Sequence, residues 1–68
     1  MDFKLKLEFI ELDNLLKTLD FVASGAQAKQ YILAGSVKVN GQIEIRVRRK
    51  LRAGDFVEFA EQQIQIVA

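Results

Sequence analysis

Cysteine and histidine are both absent from the 68 residues. Their absence excludes disulfides, thiolate nucleophiles, the usual zinc ligand sets and imidazole acid–base chemistry together. Nothing therefore marks a redox compartment, although a secreted chain this small ordinarily carries disulfide staples. Proline and tryptophan are also missing. The longest wholly apolar run is the four residues Tyr31 to Ala34, far short of the ~20 needed to span a bilayer. Met1-Asp2-Phe3-Lys4 alternates apolar and charged residues instead of forming a signal-peptide stretch, so the expectation is a cytoplasmic protein with no membrane partner. No phosphate loop, dinucleotide glycine pattern or calcium loop occurs, and neither a metal nor a cofactor is expected.

What is present is the composition of a folded globule: half the residues are apolar and 28% are charged. The length fits one domain over residues 1–68. A domain of this size buries only roughly 60% of its unfolded surface, so its core must be economical. The net charge of +1 conceals a strong segregation. Met1 to Ala23 carries −2, Ser24 to Gly54 carries +6 and Asp55 to Ala68 carries −3. A dipolar molecule with a basic middle is the first functional clue.

Phe3, Leu5, Leu7 and Phe9 alternate with Lys4, Lys6 and Glu8, a period of two that predicts a half-buried strand. The period then changes. Leu12, Leu15, Leu16 and Leu19 fall on one helix face, predicting a short helix near Glu11 to Leu19, with Asp13 suited to its positive end. Ser24-Gly25-Ala26-Gln27 fits a capping box, Ala28, Tyr31 and Ile32 form an apolar stripe, and Gly35 stands where a left-handed cap is expected. A second helix is predicted from Gly25 to Ala34, with Lys29 at the flank of its stripe.

Val37-Lys38-Val39 and Ile43-Glu44-Ile45 bracket Asn40-Gly41, a strong hairpin signal. A consistently apolar face requires Val39 to pair with Ile43 and Val37 with Ile45, which predicts a three-residue loop with a bulge. Glu44, Arg46 and Arg48 would then point away from the Ile43, Ile45, Val47 face. Arg48-Arg49-Lys50 breaks the alternation, Ala53-Gly54-Asp55 reads as a turn, Val57 and Phe59 begin a strand, and Glu61-Gln62-Gln63 reads as a polar reversal. The order is strand, helix, helix, then further strands, an α+β class.

The basic middle holds Lys29, Lys38, Arg46, Arg48, Arg49, Lys50 and Arg52, against a single acid, Glu44. A charge run is more often a solvated face than a site. Here acids are nearly excluded, and most of the bases are arginine, whose fork matches phosphate. Carboxylates are the only acid–base groups left, and Asp13, Asp20, Asp55 and Glu61 each read as helix-start, turn or edge charges, while Glu44 trims the patch or pairs locally. Phe3, Phe9, Phe21, Phe56, Phe59 and Tyr31 fit core packing better than base stacking. No enzymatic activity is expected.

A set of residues at fixed spacing sharpens this reading: Leu12-Asp13-Asn14-Leu15-Leu16, then Ser24 and Ala28, Ile32 and Gly35, Val37-Lys38-Val39-Asn40-Gly41, and finally Leu51, Gly54-Asp55 and Val57. Over Leu12 to Phe59 the chain resembles the S-four RNA-binding domain, named from a ribosomal small-subunit protein. The resemblance implies two short helices packed on a small antiparallel bent sheet, the αL arrangement, with RNA held across the second helix and adjacent loops. Gly25 stands where many members carry Arg, and Lys29 where Arg is frequent. Ser24-Gly25-Ala26-Gln27-Ala28-Lys29, with Arg48-Arg49-Lys50-Leu51 later, instead resembles the small stand-alone bacterial members, and the Arg46 to Arg52 cluster is expected to compensate.

The expected site therefore comprises Ser24 and Gly25, whose amides begin the second helix, with Lys29, Lys38, Arg46, Arg48, Arg49, Lys50 and Arg52. The expected partner is structured RNA, ribosomal or transfer RNA, recognised by shape by a monomer. The alternative is a protein-interaction module whose basic face docks an acidic partner.

Overall fold

The change of period after Phe9 marks a change of structure. In the computed structural model, which describes residues 1–68, strand β1 covers only Asp2–Lys4. It lies parallel to the last strand, β7 (Gln62–Val67), with Phe3 opposite Ile66. The Leu5 amide donates to the Val67 carbonyl (2.8 Å), and there β7 ends. With no partner left, residues 6–8 bend, and Leu7 stands 80% exposed despite its place in the alternating pattern. The chain pairs again as β2 (Ile10–Glu11) against β5 (Lys50–Leu51), in a separate two-stranded ladder.

Helix α1 spans Leu12–Thr18 and buries Leu12, Leu15 and Leu16 on the predicted face. It closes with paired bonds, Asp20 amide to Lys17 carbonyl and Phe21 amide to Leu16 carbonyl, and Asp20 takes the left-handed conformation (φ 60°). Helix α2 spans Gly25–Leu33 and buries Ala28 and Ile32. Ser24 Oγ accepts from the Gln27 amide at 3.2 Å, while Gln27 Oε1 accepts from the Ala23 amide at 2.6 Å. That is the predicted capping box displaced by one residue on its return arm. Gly35 (φ 81°) closes the helix in the same way as Asp20 closes α1.

The remaining strands are β3 (Val37–Val39), β4 (Gln42–Ile43) and β6 (Phe56–Phe59), giving a five-stranded sheet of order β1-β7-β6-β3-β4. The two helices pack with this sheet, which is antiparallel except for the β1–β7 pair. One core joins Leu12, Leu15, Leu16 and Ile32 of the helices to Val37, Val57, Ile64 and Ile66 of the sheet, with Leu51 from the small ladder.

The β3–β4 hairpin corrects the predicted register. Lys38 pairs with Ile43 and Val39 with Gln42, leaving a two-residue loop, Asn40-Gly41, with φ of 53° and 84°. Both positive φ values belong to a type I′ turn, and that turn chemistry outweighs apolar matching. Continuing the register sets Glu44 beside Val37, whose carbonyl accepts from the Glu44 amide at 2.9 Å. A shift of one residue inverts the faces. Ile43 and Ile45 are therefore exposed, and Glu44, expected to point outward, is buried.

Asn40 also explains why the hairpin and the downstream Gly-Asp occur together. Its Nδ2 donates to Asp55 Oδ1 (3.0 Å), and its Oδ1 accepts from the Phe56 amide (2.9 Å). Asp55 Oδ2 in turn accepts from the Arg52 amide (2.8 Å), fixing the turn that Gly54 (φ 99°) allows. Motif residues distant in sequence thus form one clamp between β3 and β6.

Candidate nucleic-acid interface

Helix α1 begins without a side-chain cap: Glu11 occupies the cap position and makes no such bond. Its first amides go to the basic segment instead. The Leu12 amide donates to the Arg49 carbonyl (2.8 Å) and the Asp13 amide to the Val47 carbonyl (3.1 Å). A turn closed by the Arg49 amide on the Arg46 carbonyl (3.2 Å) and the β2–β5 ladder complete the fastening. The predicted irregular loop at residues 48–50 is thus pinned to the fold through its backbone, which leaves its side chains free to face outward.

Those side chains are organised by two carboxylates. Glu44 Oε2 accepts from Arg46 Nε and the Arg46 amide, both at 3.0 Å, and Oε1 accepts from Arg46 Nη2 (3.0 Å) and Arg49 Nη1 (2.7 Å). The hydrogen bonds of Arg46, against the opposing cost of burial and with the help of Arg49, hold the Glu44 carboxyl at about 2. The same pairing raises the Arg46 guanidinium above its ordinary value. Arg48 Nε donates to Glu11 Oε2 at 3.1 Å. The arginine side chains remain 71% exposed at Arg46, 76% at Arg48 and 26% at Arg49, so the first two present unused donors to solvent.

Arg46, Arg48, Arg49 and Lys50 together line an open cleft of about 570 Å³ in which no apolar or acidic residue takes part. Four of the predicted site residues are thus brought together. Lys29, Lys38 and Arg52 do not line this cleft. Lys29 is exposed on α2, and Lys38 lies on β3 with Ile43 and Glu58 as its cross-strand neighbours. Arg52 stands 5.6 Å from the centre of the Phe9 ring, which also lies 4.9 Å from Lys50 Nζ. Ser24 spends its hydroxyl on the Gln27 amide, and a Cβ added at Gly25 would meet nothing within 4 Å.

Two participants escaped the sequence reading, and a third was read in part: Glu44 pairs locally as expected, with Arg46 and Arg49, but was not expected to be buried. The burial of Glu44 follows from the two-residue loop, and its being the single acid among seven bases was the available signal. Glu11 as partner of Arg48, and Phe9 beneath Lys50 and Arg52, depend on contacts 37 or more residues apart and leave no local trace. Among the other aromatics, Phe59 is in the core, Phe3 and Phe21 pack against it, and Tyr31 meets Phe59 edge-on at 5.2 Å while 40% exposed. Asp55 is held below its ordinary value: burial pushes it up, but the Arg52 amide, Asn40 and the charges of Arg49 and Arg52 outweigh that. Both carboxylates are shifted down, the opposite of the shift a general acid needs.

The model of the S4 domain matches residues 3–67. YbcJ of Escherichia coli (strain K12) is 49% identical over 59 residues, covering 87% of this chain and 84% of that protein. The small ribosomal subunit protein uS4 of Acidithiobacillus ferrooxidans is 42% identical over 60 residues, which are 85% of this chain but 29% of uS4. The solution structure of E. coli YbcJ, described as having an αL motif involved in RNA binding, superposes with a TM-score of 0.73 at 47% identity, covering 98% of this chain and 86% of that one. Fold, motif residues and relatives of like length agree, and the chain belongs to the S4 domain family.

Proposed function

We propose that this protein binds structured RNA without catalysing a reaction, and that the cleft of Arg46, Arg48, Arg49 and Lys50 is its principal phosphate site. The observation that carries the reading is the cleft itself: four bases on a backbone pinned to α1, with the nearby carboxylates Glu44 and Glu11 orienting guanidiniums instead of occupying the opening. Arginine forks present paired donors that suit phosphate oxygens. The description of the YbcJ αL motif as involved in RNA binding supports the same reading, and likeness to uS4 makes ribosomal RNA the first target to test, ahead of transfer RNA. Lys29, Lys38, Arg52 and the amides at Ser24 and Gly25 lie outside the cleft and are assigned a peripheral part, adding to the positive field around it without a phosphate of their own. Shape recognition is the mode proposed, with the basic side chains of the cleft directed to backbone phosphates.

The test is charge reversal at Arg48 and Lys50, both exposed; Arg49 is left in place because it satisfies Glu44. Arg48→Glu with Lys50→Glu is expected to weaken binding of a labelled ribosomal RNA fragment by about 100-fold or more at moderate salt, with the circular dichroism spectrum unchanged. Unchanged affinity in a folded variant would overturn the reading and turn attention to an acidic protein partner.

A further inference from the structure

Beside the basic cleft lies a second depression of different character. Phe3, Leu5, Leu7, Phe9 and Ile10 line a groove of about 610 Å³ under the bend that follows β1. Lys4 and Lys6 also line it, and neither is in an ion pair. The one acid of the lining, Glu11, is engaged by Arg48. Asn14 and Thr18 add an amide and a hydroxyl that can each donate and accept. Leu7 stands in solvent although nothing in the fold requires an apolar residue there.

The groove and the cleft meet. Phe9 lines the groove, Lys50 lines the cleft, and Lys50 Nζ lies 4.9 Å from the Phe9 ring centre. Apolar walls with an aromatic ring, a cationic rim and a few polar edge groups suit a flat heterocycle attached to an anionic backbone. An uncharged apolar peptide would leave the two unpaired lysines without partners. We propose that this groove receives an unpaired nucleobase of an RNA whose adjacent phosphates occupy the Arg46–Lys50 cleft. The inference rests on the RNA reading above and adds a preference to it: the protein favours RNA with exposed bases over fully stacked duplex.

Two stem-loop RNAs with the same stem test it, one closed by a six-nucleotide loop and the other by a loop of abasic sites with the same number of phosphates. The wild-type chain is expected to bind the base-bearing loop about ten-fold more tightly. Leu7→Ser, at a position exposed enough to spare the fold, is expected to remove most of that preference while leaving affinity for the abasic loop unchanged. Equal binding of both loops by the wild-type chain, or a preference untouched by Leu7→Ser, overturns the groove assignment while the phosphate reading stands. Binding to neither RNA overturns the RNA reading, and the groove assignment with it.

Discussion

Glu44 keeps its charge inside the protein because four hydrogen bonds, three from Arg46 and one from Arg49, replace the water it loses. Since its carboxyl is held near 2 when folded, the stabilisation is fully present above the ordinary carboxylate range and is lost as pH falls from about 4.5 to about 2. Asp55, also held low, contributes in the same direction. A shift of this size amounts to at most about 3 kcal/mol, and less for the share due to the solvent-exposed Arg46. Glu44→Gln is therefore expected to lower the melting temperature at pH 7 by roughly 10 °C and to flatten its fall between pH 4.5 and 2. Thermal unfolding followed across that pH range checks both. On the proposed function, the variant also separates two effects on RNA. One more net positive charge would tighten binding, whereas losing the fixed positions of Arg46 and Arg49 would weaken it. The structure favours weakening, because both guanidiniums take their places from this carboxylate.

At the scale of the elements, the two hairpins reverse through the same backbone geometry with different residues. Asn40-Gly41 suits two consecutive positive φ angles, whereas Ala60 (φ 50°) and Glu61 (φ 67°) adopt them against their preference. Neither of the latter side chains is buried or hydrogen-bonded in a way that offsets the strain. Ala60→Asn with Glu61→Gly is expected to stabilise the chain by about 1–2 kcal/mol, read as a rise in melting temperature of several degrees. A fall would show that the turn is held by contacts outside its backbone. The same contrast explains what could be read in advance. Helix α2 was legible because its start and stop are local chemistry, Ser24 with Gln27 and then Gly35. The β6–β7 turn was not: the expected reversal at residues 61–63 falls one residue late, since Ala-Glu carries no turn signal. The parallel pairing of β1 with β7 was equally hidden, as it joins the two ends of the chain. In the candidate site, the bases were plain, but their arrangement depended on a register that apolar matching alone misassigned.

For the whole molecule, folding decides how much of the segregated charge can act on one ligand. The acidic first and last segments come together through β1 and β7, while the basic middle supplies the β4–β5 connection that docks on α1. Sequence alone offered seven bases as a single patch; the fold gathers four of them into the cleft and leaves Lys29, Lys38 and Arg52 outside it. These two counts predict different salt responses, because each phosphate neutralised releases close to one counterion. Four contacts give a slope of log affinity against log salt of about −3, and seven give about −5 or steeper. Fluorescence anisotropy of a labelled ribosomal RNA fragment between about 50 and 300 mM salt is expected to return the shallower slope, and Lys29→Gln with Lys38→Gln to change it little. A slope near −5 that these two substitutions flatten would mean that RNA spans α2, β3 and the cleft together. In that case the carboxylate-ordered arginines would be one end of a longer interface, and the S4-type footprint across the second helix would hold here despite Gly25.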